Sequence, residues 1–171
     1  IIRRERIGID ANTTVHTVLP IRRAKDKRNP RQLPQLPHIL CGYCERDDDE
    51  QRATLINAGA ALGDVPVVIY ADVNAMDGTS ELFTRALASG MWNDAATLLA
   101  ERGDVEAQQV LQKGTTHRKG RIGRRVEYIV VNKSAEPMVR AVSWLGDQPL
   151  VRHFPITLNL AIPDADQMVY E

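Results

Sequence analysis

The chain has 171 residues, 43% of them apolar and 26% charged, which is enough for one domain with its own core and too little for two comfortable ones. No apolar run approaches the roughly 18 residues of a membrane span, so the composition predicts a soluble, intracellular chain with no membrane partner. Net charge is zero, yet the charges are unevenly placed: Arg3 to Arg31 is opposed only by Glu5, Asp10 and Asp26, and Lys113 to Arg125 contains no acid. Such stretches can hold phosphates, although a solvated loop is the simpler reading of either one alone. The opening IIRRERIGID lacks an initiator Met and a signal-like order of charge and apolarity, which predicts a fragment of a longer chain.

Thr13, Thr14, Val15, Thr17 and Val18 form a β-branched stretch that predicts one or two strands over residues 1 to 20, stopping at Pro20. Pro30, Pro34 and Pro37 withhold backbone donors, so residues 21 to 37 read as a basic loop, and 1–37 as a segment apart from the region 38–162. HILCGY (38 to 43) suits a buried strand. The acids Glu45 to Glu50 then open a helix where its dipole favours them, with Asp47, Asp48 or Asp49 as N-cap, running to about Leu62 and ending at Gly63. VPVVIY (65 to 70) is apolar on both faces, the mark of a central strand. Asp77, Thr79 or Ser80 can cap the next helix, in which Leu82, Phe83, Ala86 and Leu87 recur at helical spacing before Gly90. Helical stretches over 94–102 and 105–111 follow, then strands in RVEYIVV, VRAVSWL and FPITLNLA, with 163–171 as a tail. Early alternation and late strands predict a mixed sheet or two packed sheets flanked by helices.

Asp72 and Asn74 follow the central strand at positions i and i+2, where strand alternation points both side chains to one side at the open edge of the sheet. Ligand sites gather at such edges. Asp72 could serve as a general base or hold a water, and Asn74 could donate to oxygens that gain charge. The plain alternative is that both residues bond their own backbone and make the turn. Cys41 and Cys44 form a Cys-x-x-C between a strand and a helix, which admits a thioredoxin-like oxidoreductase, a weak zinc signal, or simply buried free cysteines. His16 and His117 lie in polar sequence, His38 suits strand-edge packing, and Trp92 and Trp144 suit a core.

Four short motifs in order resemble the endonuclease/exonuclease/phosphatase, or DNase I-like, superfamily over roughly residues 38 to 162. VVIYADVNA keeps the Asp and Asn of Gly-Asp-Phe-Asn-Ala as Asp72 and Asn74; ASGMWNDAATLL supplies the Asp-Ala pair as Asp94 and Ala95; RVEYIVV keeps Arg125 and Tyr128 of Arg-Ile-Asp-Tyr; and VRHFPITLNL keeps His153 and Pro155 of the last motif. The resemblance implies an α/β fold, a DNase I-like sandwich of mixed β-sheets flanked by helices and incomplete at its amino-terminal side. It also implies a phosphodiester hydrolase dependent on Mg²⁺ or Mn²⁺, most simply a nuclease acting on DNA or RNA, with a mobile element among its expected sources. Asp72 would hold or deprotonate the attacking water, Asn74 would stabilise the pentacovalent phosphate, and His153 would contact the phosphate, with Arg125, Glu127 and Tyr128 in support. Lys113, Arg118, Lys119, Arg121 and Arg124 would track a nucleic-acid backbone. Departures from the family pattern are Glu127 in place of Asp, Arg152 in place of the Asp before His153, and Gly42 or Tyr43 where many members have a His. No metal-binding Asn and Glu stand out in the amino-terminal part, where Asp10 and Asn12 are the faint candidates. An inactive nucleic-acid-binding domain of the same fold is the alternative these departures imply.

Overall fold

The computed structural model describes residues 2–8, 14–20, 36–46, 48–75, 80–113, 117–119, 122–145 and 155–161; for 2–8, 14–20, 113, 117–119 and 122–124 the description is of the backbone. The apolar run after Pro66 forms strand β4 (Val67–Asp72) at the centre of a six-stranded sheet. Counting strands along the chain, β1 (Ile2–Gly8), β2 (Thr14–Pro20), β3 (His38–Tyr43), β5 (Trp92–Asp94) and β8 (Glu127–Asn132) complete it in the order β1-β2-β3-β4-β8-β5. β3 and β4 run parallel and the other neighbours antiparallel. A parallel pair needs a crossover, which helix α1 (Asp49–Ala60) supplies.

Asp48 caps α1 by accepting the Gln51 N–H, Asp49 and Glu50 occupy the first turn, and the chain leaves the helix through Gly63 at φ 76°. α1 lies close against the sheet through Gly59, where an added Cβ would stand 2.7 Å from Trp92 Cη2. Ser80 caps α2 (Glu81–Ala88), Asp94 caps α3 (Ala95–Glu101), and α4 (Val105–Lys113) follows. The strands β9 (Val139–Trp144) and β10 (Ile156–Leu160) pair antiparallel as a separate ribbon.

Side chains alternate across the sheet, so it has two apolar faces. Leu40, Ile69, Ala71, Tyr128 and Val130 pack with Leu55, Phe83 and Trp92 on one face. On the other, Val68, Ile129 and Val131 pack with Leu99 and Val110 of the later helices and with Val139 and Val142 of β9. Tyr70 of β4 and Leu158 of β10 pack against this second cluster, and burial pushes the Tyr70 phenol up to about 12. The result is a mixed sheet covered on one side by helices and on the other by helices and the second ribbon, the DNase I-like arrangement.

Three elements differ from the sequence reading. The helix expected over 94–102 forms as α3 with Asp94 as its cap, but a strand the sequence did not announce, β5, precedes it, because Trp92, Asn93 and Asp94 pair with Asn132, Val131 and Val130 of β8. A long-range partner of this kind leaves no periodic trace in three residues. The basic stretch read as a loop contains a small hairpin, β6 (His117–Lys119) with β7 (Ile122–Arg124), in which His117 opposes Arg124 and Lys119 opposes Ile122. A short 3₁₀ turn at Glu136–Met138, with Pro137 inside it, precedes β9. Trp92 is buried as expected, and Trp144 is half-buried beside the second core cluster.

Candidate active site

The carboxyl ends of β3 and β4 and the start of β8 meet at one edge of the sheet. There Tyr43 is the register partner of Asp72 in the parallel ladder, and Asp72 is the partner of Glu127 in the antiparallel one. Register partners share a face, so Tyr43, Asp72 and Glu127 form a row across three strand ends. Asp72 and Glu127 are half-buried, whereas Tyr43 is 57% exposed.

Strand alternation ends at Asp72. Asn74 stands at φ 46°, in the left-handed region that Asn tolerates better than most residues, and its N–H donates to Asp72 Oδ1 at 3.1 Å. The i, i+2 placement expected of two strand residues is thus replaced by a turn in which the pair is bonded directly. Asn74 Nδ2 donates to the Cys44 carbonyl at 3.1 Å, and Cys44 N–H donates to the Asp72 carbonyl at 2.8 Å, so the chain after β3 and the turn after β4 are laced together. Val73 N–H donates to the Val126 carbonyl at 2.8 Å, which fixes the turn against the approach to β8.

Arg125 and Tyr128 sit beneath this edge. The Arg125 guanidinium forms a two-pronged ion pair with Asp94, at 2.9 and 2.5 Å, and lies 4.3 Å from the centre of the Tyr128 ring. Tyr128 in turn meets Phe83 edge-on, with ring centroids 5.2 Å apart. Both residues are almost wholly buried. His153, Arg152, Arg121, Asp10 and Asn12 lie outside the described residues. Lys113 ends α4, and Arg118, Lys119 and Arg124 lie on the hairpin strands, whose chain runs directly into Arg125 and Glu127.

The thioredoxin-like alternative is overturned. Cys41 lies inside β3, opposite Tyr70, and α1 begins only at Asp49, so neither thiol sits at a helix amino terminus. Burial raises the Cys41 thiol above its ordinary value and pushes that of Cys44 up to about 11, the reverse of what a reactive thiolate requires. Both cysteines are free, as a buried strand pair would be.

Among the described residues no group of three or more His, Cys, Asp or Glu side chains converges to hold a metal ion. Asp72 and Glu127 offer two neighbouring carboxylates, but a hard divalent cation takes about six oxygen ligands. Mg²⁺ is commonly held by one or two carboxylates and completes its shell with water and substrate phosphate, so Asp72 and Glu127 are the described residues that would hold such an ion, which would neutralise phosphate charge there. No helix among the described residues is long and apolar enough to cross a membrane.

Sequence reasoning passed over Arg52, which is 3% exposed and donates from Nε to the Val73 carbonyl at 2.7 Å. The signal was present: Arg52, Leu55 and Gly59 fall at i, i+3 and i+7 on the buried face of α1, so a lone cation occupies a core position.

No protein-family profile matches the sequence, and no curated protein matches it. Solved structures do. A 3′ phosphatase from Neisseria bound to a product DNA hairpin superimposes with a TM-score of 0.58 at 12% identity, over 87% of this chain and 64% of that one. The fold is that of the DNase I-like endonuclease/exonuclease/phosphatase proteins. TDP2 of D. rerio, in complex with a single-stranded DNA product, gives 0.56 at 12% identity over 93% of this chain and 67% of that one. The APE2 catalytic domain of Xenopus laevis gives 0.54 at 17% identity over 88% and 55%. The chain thus spans between 55% and 67% of the length of these DNase I-like structures.

Proposed function

We propose that the chain is a phosphodiester hydrolase acting on nucleic acid, with Asp72 as the group that orients or deprotonates the attacking water. The observation that carries the proposal is the row Tyr43, Asp72 and Glu127 across three strand ends of a DNase I-like fold, with Asn74 bonded to Asp72. Water attacks phosphorus, its proton passes to the Asp72 carboxylate, and the P–O bond to the leaving alcohol breaks in line, the alkoxide taking a proton from solvent. Anchoring of Asn74 Nδ2 to the Cys44 carbonyl fixes the carboxamide plane, and its second N–H is the donor for a phosphoryl oxygen that gains charge. His153 is assigned a phosphate contact. Lys113, Arg118, Lys119, Arg121 and Arg124, on and around the hairpin that leads into Glu127, are assigned to the nucleic-acid backbone. The DNA products bound to the Neisseria phosphatase and to TDP2 support a nucleic-acid substrate.

A second reading, a nucleic-acid-binding domain without catalysis, is favoured by one observation: Asp72 Oδ1 and Asn74 Nδ2 both serve the turn. One experiment separates the two. End-labelled single-stranded and duplex DNA and RNA are incubated with the protein, with and without Mg²⁺ or Mn²⁺, while binding is followed against salt. Cleavage abolished by Asp72→Ala supports the hydrolase. Salt-sensitive binding without cleavage under any cation supports the second reading.

A further inference from the structure

The structure assigns Arg52 as the positioning residue of this site, an inference that rests on the reading of Asp72 and Asn74 given above. The bonds of Arg52 run to the turns beside the row. Its guanidinium lies beneath, with Nε donating to the Val73 carbonyl at 2.7 Å, one terminal nitrogen to the Glu45 carbonyl at 3.1 Å, and the other to Asp49 Oδ1 at 3.0 Å. Three donors of one planar group thus reach three separate stretches of chain, in directions that the fork of the guanidinium fixes and a lysine ammonium does not.

The two carbonyls it holds are those that matter for the pair. Val73 stands between Asp72 and Asn74; its N–H, in the peptide that follows Asp72, donates to the Val126 carbonyl beside Glu127, and its C=O, in the peptide that leads into Asn74, accepts from Arg52, so the planes on both sides of Val73 are held. Glu45 follows Cys44, whose N–H and C=O bind the Asp72 carbonyl and the Asn74 carboxamide. Arg52 therefore clamps together the two turns that set where the Asp72 carboxylate and the Asn74 amide stand. Asp49 extends the network: the same Oδ1 accepts the Ser80 hydroxyl at 2.6 Å, and Ser80 caps α2 through the Phe83 N–H. A buried cation is costly unless its donors are satisfied, and here all three bonds run to the site's turns and the helix start below them. An apolar side chain would fill the same position without that cost and without holding either carbonyl.

The test combines amide hydrogen exchange with kinetics on wild type and Arg52→Lys, which keeps the charge and loses the fork. The assignment expects Cys44 and Asn74 amide exchange to accelerate at least about tenfold while Ile69 and Val130 in the sheet centre stay within about twofold. It expects kcat to fall about 10²-fold with KM nearly unchanged, since a misplacement of about 1 Å suffices for that loss. Unchanged exchange at Cys44 and Asn74, or equal acceleration through the whole sheet, would overturn it. Should wild type cleave no phosphodiester, the functional reading fails while the exchange comparison still decides the positioning role. Should Arg52→Lys not fold, the wild-type Arg52 Nε–H decides it: slow exchange is expected of a donor buried against the Val73 carbonyl, and exchange at the rate of a free arginine contradicts the clamp.

Discussion

Arg125 and Asp94, 31 residues apart in the chain, meet inside the protein as a two-pronged ion pair with contacts of 2.9 and 2.5 Å. The same Asp94 carboxylate accepts the Thr97 N–H and hydroxyl and so caps α3, while the guanidinium lies over the Tyr128 ring. One interaction thus joins the β5–α3 corner to the approach of β8, two residues before Glu127. Removing one partner leaves the other charge buried. Asp94→Ala is expected to lower the unfolding free energy by about 3–5 kcal/mol in urea denaturation, and Asp94→Leu combined with Arg125→Met by less than the sum of the single changes. Strict additivity would contradict the pairing.

The thiols give a pH dependence. Burial chiefly pushes the Cys44 thiol up to about 11; Arg52 opposes this, and Asp72 and Asp48 add to it. The unfolded thiol titrates near its ordinary 9.0, so below that pH both states keep the proton and the contribution is whole. Above it the unfolded state releases its proton first, and stability falls as pH rises toward about 11. Tyr70, raised from 10.0 to about 12 mainly by burial, continues the loss in the same direction. Urea denaturation at about pH 8 and about pH 10 is expected to show lower stability at the higher value. Native protein at about pH 8 is expected to react with a thiol reagent far more slowly than unfolded protein, because the thiolate is the nucleophile. Equal rates would contradict the buried placement.

Tyr43 is exposed at the end of β3 beside Asp72, so its ring packs little core. Tyr43→Ala is expected to change stability by no more than about 0.5 kcal/mol. In the hydrolase reading the ring is available to a base or sugar next to the reacting phosphate, and base–aromatic stacking contributes about 1–3 kcal/mol. KM for single-stranded substrate is therefore expected to rise at least about fivefold. An unchanged KM would remove Tyr43 from the substrate surface.

The sheet centre was legible because VPVVIY is short, β-branched and apolar at every position, as a strand buried on both faces is. The caps were legible too: Asp48 and Ser80 each stood among the named candidates, since the orphan N–H groups of a helix start need an oxygen at that spacing. The Asp94 ion pair was not, although both residues lay in quoted motifs, because sequence spacing carries no information on which distant charge a buried one meets. The same holds for Arg52, whose helical position marked it as buried but not what it would hold. The turn at Asn74 shows the opposite failure: strand alternation was extended past the residue where a left-handed backbone ends it.

Asp72→Asn is the most direct measurement. The substitution keeps the shape and an oxygen able to accept the Asn74 N–H, and it removes the proton acceptor. If Asp72 prepares the attacking water, kcat for phosphodiester cleavage falls by about 10²–10⁴ with little change in melting temperature or in DNA binding. A variant that cleaves within about threefold of wild type would contradict the assignment of Asp72 to the chemical step.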